Sequence, residues 1–135
     1  MMILRRAIRI KEYVLLPNGD RIAVDINVEA NLAALNKLLN NVIKAAEHYA
    51  RTPQDTGLQR AFNDALRGLL QRVLGAGNYK RLVEAYDGDA DEAAGMMDTW
   101  ISEVLVPKMR EAHERKAQDR KREGAKALKK ARRRA

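Results

Sequence analysis

The sequence predicts a mainly α fold with a small N-terminal β-hairpin (α+β), a helical bundle of about four helices whose last member extends into a basic helical tail. Three observations predict it. An Asn18-Gly19 pair lies between two β-branched runs, the strongest short-range hairpin signal. Two long segments then carry apolar residues at steps of three and four, the period of one helix face. Last, glycines at Gly75 and Gly77 and an acidic break at Asp87-Gly88-Asp89 separate those segments from a final one that ends in Ala, Lys, Arg and Glu.

The hairpin is read from Ile8 to Ile26, with Tyr13 to Leu16 and Arg21 to Ile26 flanking Pro17-Asn18-Gly19-Asp20. A two-residue Asn18-Gly19 loop sets Leu15 against Ile22 and Tyr13 against Val24. Tyr13, Leu15, Ile22, Val24 and Ile26 then form the expected buried face. Ile8 and Ile10 fall on the opposite parity, which predicts a bulge or strand break near Lys11-Glu12. Two strands alone are marginal, so the apolar face must lie on helices.

The clearest helix follows. Val28, Leu32, Leu35, Leu39, Val42, Ala46 and Tyr49 form its stripe, widened by Leu38 and Ile43, with Asn27 as the expected N-cap. It ends before Arg51-Thr52-Pro53, where Thr52 reads as the next N-cap and Pro53 as the first helical residue. Leu58, Phe62, Ala65, Leu66, Leu69, Leu70, Val73 and Leu74 form a second stripe, and so short a link predicts antiparallel packing. At the joint, Gly75 and Gly77 offer positive φ, and Asn78 reads as the N-cap of a short helix presenting Leu82, Val83 and Tyr86. Asp89, with Glu92 three residues on, predicts a capped fourth helix carrying Ala93, Met97, Trp100, Ile101, Val104 and Leu105. Pro107 is expected to kink or restart it. The apolar stripe fades beyond Met109 and Ala112, which predicts an exposed helix fraying past Gly124.

Charge divides the chain. Residues 108–135 hold thirteen basic and four acidic residues, whereas 1–107 hold thirteen and fourteen. The high isoelectric point therefore belongs to a tail. The expected organisation is a hairpin-plus-helices domain over 1–107 and a basic, exposed helical or frayed tail over 108–135. No apolar run is long enough to span a membrane. The start at Met1-Met2-Ile3-Leu4-Arg5-Arg6 is charged too early for a signal peptide. A soluble, cytoplasmic protein is expected.

Catalytic chemistry is sparse. Cysteine is absent, which excludes a thiol nucleophile and thiolate metal sites. Ser102 has no histidine at a spacing that suggests a partner, and His48 and His113 fall in different elements. Asp87-Gly88-Asp89-Ala90-Asp91 resembles the start of a calcium loop, but Glu92 stands where the sharp turn needs glycine. Gly75-Ala76-Gly77 lacks the third glycine and the preceding strand of a phosphate loop. The expectation is a protein that is not an enzyme, with no catalytic residue, no metal and no cofactor. Lys126, Lys129, Lys130, Arg132, Arg133 and Arg134 leave three readings open: polyanion binding, docking to an acidic or amphipathic protein, and a solvated extension.

The order of hairpin, two amphipathic helices, Leu74-Gly75-Ala76-Gly77-Asn78-Tyr79-Lys80-Arg81-Leu82, and a long helix entering a charged tail is similar to the small tail assembly chaperones of long-tailed (siphovirus-type) phages and prophages of Gram-positive hosts. The residue-level likeness lies in that Leu-Gly-x-Gly-x-Tyr-x-x-Leu block and in the hairpin turn. The resemblance implies a non-enzymatic protein of the host cytoplasm that coats the tape-measure protein before tail-tube protein polymerises around it, with self-association possible and no membrane partner. It also implies that a longer, frameshifted form is often made. Tyr79, Tyr86, Met96, Met97 and Trp100 are the candidate partner-binding residues, because methionine adapts to varied surfaces. Their helical spacing equally suits a core. The rival expectation is a nucleic-acid-binding accessory protein acting through the basic tail.

Overall fold

Strands β1 (Arg9–Leu15) and β2 (Arg21–Asn27) open the chain as an antiparallel hairpin, and helices α1 (Leu32–Arg51), α2 (Thr56–Leu74) and α3 (Ala76–Ala85) follow. Next, α4 (Ala90–Met96), the short turn α5 (Asp98–Trp100), a π-helical turn at Ile101–Leu105 and α6 (Val106–Arg134) trace one bent helical run. The fold is thus mainly α with an N-terminal hairpin, and that run is its fourth, longest helix. The computed structural model describes residues 4–134, so Met1 to Ile3 of the N-terminal reading, and Ala135, lie outside the description.

The hairpin register differs from expectation by one residue. Val14 faces Ile22, Glu12 faces Val24 and Ile10 faces Ile26, in an unbroken ladder without a bulge at Lys11-Glu12. The cause is Pro17. A two-residue loop needs the residue at 17 to donate its N–H across the turn, and proline has none. Leu16 closes the loop instead: its N–H donates to the Asp20 carbonyl at 2.7 Å, and the Gly19 N–H returns to the Leu16 carbonyl at 3.0 Å. Pro17 then sits where a type I turn favours it, and Gly19 takes the positive φ, 83°, of a three-residue loop. Side-chain parity inverts on β1. Ile8, Ile10 and Val14 join Ile22, Val24 and Ile26 on the core side, while Tyr13 and Leu15 face outward.

Helix α2 is the hub, packing on α1, α3, α4 and β2 and burying Leu66, Leu69, Leu70, Val73 and Leu74. It runs antiparallel to α1. Tyr49 stacks on Phe62 with ring centroids 6.3 Å apart near one end, and Arg72 Nη2 donates to Asn31 Oδ1 at 2.9 Å at the other. α1 begins four residues later than its stripe. Val28 is drawn into the strand ladder by the Ile8 carbonyl, 2.9 Å away, so Asn27 caps a turn by accepting from Ala30 N. Thr52 ends α1, and Asp55 caps α2, accepting from the N–H groups of Gly57 and Leu58 at 2.8 and 3.1 Å. Asp55 reaches two of the free donors of the first turn, so the helix starts there and Thr52-Pro53 stays in the link.

At the joint Gly75 alone carries the break, with φ 81° and ψ 160°, and Gly77 is already inside α3. Asn78 is not a cap. Its Nδ2 donates to the Ala23 carbonyl at 2.8 Å, tying α3 to the edge of β2. Asp89 does cap α4, accepting from Glu92 N at 3.0 Å. Before Pro107 the helix widens: Val106 N–H bonds the Ile101 carbonyl, five residues back. The wider π turn makes room for the ring and absorbs the missing donor. α6 then continues through Gly124 to Arg134 without the expected fraying.

Candidate functional site

The five predicted partner-binding residues divide between core and surface. Met97 is 4% exposed, in the core, whereas Met96 is 63% exposed. The division follows helical spacing, since Met97 lies four residues after buried Ala93 and Met96 about 100° round the helix, and α4 closes at Met97 with an i to i−3 bond to Ala94. Tyr79, Tyr86 and Trp100 are half-buried against the core. The Trp100 indole N–H donates to Glu12 Oε1 at 2.5 Å, joining the hairpin to the start of the last helical run. Beside Tyr79, the Arg67 guanidinium pairs with Asp64 and lies 3.9 Å from Asp91 of α4. The Asp64 carboxylate holds Arg67 above its ordinary pKa, a fixed cation between α2 and α4. The four concavities described on the surface are lined by other residues, so these five side chains do not form a pocket among those.

Sequence parity missed a second surface. Tyr13 and Leu15 stand 67% and 75% exposed on the outer face of the hairpin. Arg21 lies over the Tyr13 ring, 4.8 Å from its centroid, and a shallow concavity of about 290 Å³ beside it is lined by Lys11, Glu12, Tyr13, Ala23, Val24 and Asp25. Two of the outer carbonyls of β2 are occupied, since Asn78 donates to Ala23 and Arg81 to Arg21 at 2.8 Å each. Pro17 was the available signal: its missing donor already excluded the two-residue loop.

The first part of α6 is docked rather than free. Met109 and Ala112 are buried. Glu29 Oε1 accepts from both the Ile8 N–H, 2.7 Å away, and Arg115 Nη1, 2.5 Å away, and Arg115 also donates to the Arg6 carbonyl. His113 bonds Asn36 at 2.7 Å, and Arg5 reaches Asp119 at 2.6 Å. These contacts carry α6 past residue 107, where charge alone divides the chain, as far as Asp119. From Arg120 to Arg134 every residue is exposed, and no hydrogen bond or ion pair among the described residues returns to the body. Lys126, Lys129, Lys130, Arg132, Arg133 and Arg134 all lie on this projecting rod.

Reactive groups are engaged locally. The Ser102 hydroxyl donates to the Asp98 carbonyl at 2.8 Å, one helical turn back. Among the described residues no three His, Asp or Glu side chains converge as a metal site, and no helix is long and apolar enough to cross a membrane. The fold and these surfaces define a helical protein with an N-terminal hairpin, exposed apolar side chains at Tyr13, Leu15 and Met96, and an exposed cationic rod. No protein-family model, curated protein or solved structure matches the chain.

Proposed function

We propose that this chain is a non-enzymatic tail assembly chaperone that holds a tape-measure protein while tail-tube protein assembles. Support comes from the order of hairpin, paired helices, glycine block and charged helix. The single observation that carries the reading is the separation at the end of α4, where Met96 stands in solvent while its neighbour Met97 is buried. An exposed methionine four residues before a half-buried tryptophan offers a deformable apolar contact of the kind a client with many non-identical apolar stretches requires. Tyr13 and Leu15 add a second such contact on the hairpin.

Co-expression with a tape-measure protein tests this reading. The intact chain is expected to keep the client in the supernatant and to co-purify with it. Met96→Glu should lower capture at least tenfold while leaving thermal unfolding unchanged. Met97→Glu should unfold the body, because it places a charge in the core. Full capture by a properly folded Met96→Glu chain would remove the basis of the proposal.

A further inference from the structure

We infer that residues 120–134 of α6 bind the phosphate backbone of double-stranded nucleic acid, an activity separate from holding a client protein. Residues 1–119 contain seventeen basic and seventeen acidic residues, and 120–135 contain nine and one. The whole formal charge of +8 therefore sits on the projecting part of one helix, while the body to which it is attached is neutral. At 1.5 Å per residue, those nine cations follow one another every ~2.5 Å along the axis, close to the ~1.7 Å spacing of charge along a duplex. At roughly 100° per residue eight of the nine cover about 220° of the helix circumference, from Lys121 round to Arg134, and Arg120 alone lies outside that arc. A helix about 10–12 Å across fits a major groove about 12 Å wide, where phosphates line both walls and meet cations on both flanks.

The same rod suits other polyanions poorly. It carries no aromatic residue on which single-stranded bases would stack. Its remaining sector holds Arg120 with Gly124, Ala127, Leu128 and Ala131, in which Leu128, 54% exposed, is the sole large apolar side chain. One leucine is a weak anchor for either a protein groove or a lipid surface. Nothing on the rod reads base edges through a recognition-helix motif, so recognition is of backbone charge and shape, without sequence preference.

The experiment measures the full chain against a mixed-sequence DNA duplex of ~20 base pairs, the corresponding RNA duplex and polyglutamate, by fluorescence anisotropy over a range of salt. Binding to a duplex is expected regardless of sequence, with affinity falling about 10³–10⁵-fold between 50 and 200 mM salt for six or more phosphate contacts. Preference for DNA over RNA would place the rod in the wide B-form groove, and the reverse preference would place it across an A-form minor groove. The combined change Lys126→Gln, Lys129→Gln, Lys130→Gln and Arg133→Gln keeps helix propensity and should flatten the salt slope by about 3–4. The pair Lys44→Gln and Arg51→Gln on α1 should leave it unchanged. No duplex binding at 50 mM salt, an unaltered slope in the quadruple variant, or equal affinity for polyglutamate would overturn the inference. Capture of a tape-measure protein by the quadruple variant is expected to persist, so each activity can fail alone.

Discussion

At Gly75 the backbone takes φ 81° and ψ 160° between two helices that share no other residue. That region is essentially closed to residues bearing a Cβ, and a side chain forced into it costs about 1–3 kcal/mol. No atom lies within 4 Å of where the Cβ would stand, so the cost of Gly75→Ala is conformational rather than steric. The expected outcome is a loss of about 1–3 kcal/mol in urea unfolding, with the fold retained. Gly77→Ala, inside α3, should instead be neutral or stabilising. Charge at the residue scale is equally specific. Arg81 holds the Asp20 carboxyl below its ordinary 3.8, and Arg9 does the same for Asp25. A carboxyl held low in the folded chain adds stability that is present above its unfolded pKa and is lost as pH falls through the folded one. The urea midpoint should therefore decline as pH drops below 3.8. The paired change Asp20→Asn and Asp25→Asn should make that decline shallower, by a small amount because both groups are exposed.

At the scale of elements, the hairpin register decides which side chains matter. With Val14 opposite Ile22, Ile22→Ala is expected to cost about 2–5 kcal/mol, because its side chain is fully buried. Leu15→Ser should lie within about 0.5 kcal/mol of the parent, since it removes an exposed side chain. A register with Leu15 inward would give it a core-sized penalty, so chemical denaturation of these two variants checks the loop directly. The helices were more legible. The stripes of α1 and α2 appeared in the right places because apolar spacing at 3.6 residues is a local property. Their starts were less so, since Val28 is claimed by a strand bond to Ile8 that sequence spacing does not display. Pro107 was legible as an irregularity, but the form it takes, a π turn one step upstream, depends on the helix being held at both ends.

At the scale of the molecule, a neutral body carries a cationic rod, joined through Arg115, Glu29, His113 and Asp119. Ending the chain after Asp119 should therefore leave body stability within about 0.5 kcal/mol of the parent, as read by urea unfolding, because residues 120–134 are all exposed. The same truncation should abolish duplex binding. The candidate surfaces were only partly visible beforehand. Composition located the rod. Helical spacing from Ala93 already set Met97 on the core stripe and left Met96 off it, and the structure buries the first and exposes the second.

By itself the sequence determined the helix faces, the presence of a hairpin, the glycine joint and the position of the charge, because each arises from the period or chemistry of nearby residues. Tertiary structure decided where α1 starts, how far α6 is docked and how the last helical run is tied to the hairpin. Those outcomes depend on hydrogen bonds and packing between residues far apart in the chain, such as Glu29 with Arg115 and Glu12 with Trp100. Local pattern constrains a segment's shape; only its distant neighbours determine which of its faces remains for a partner.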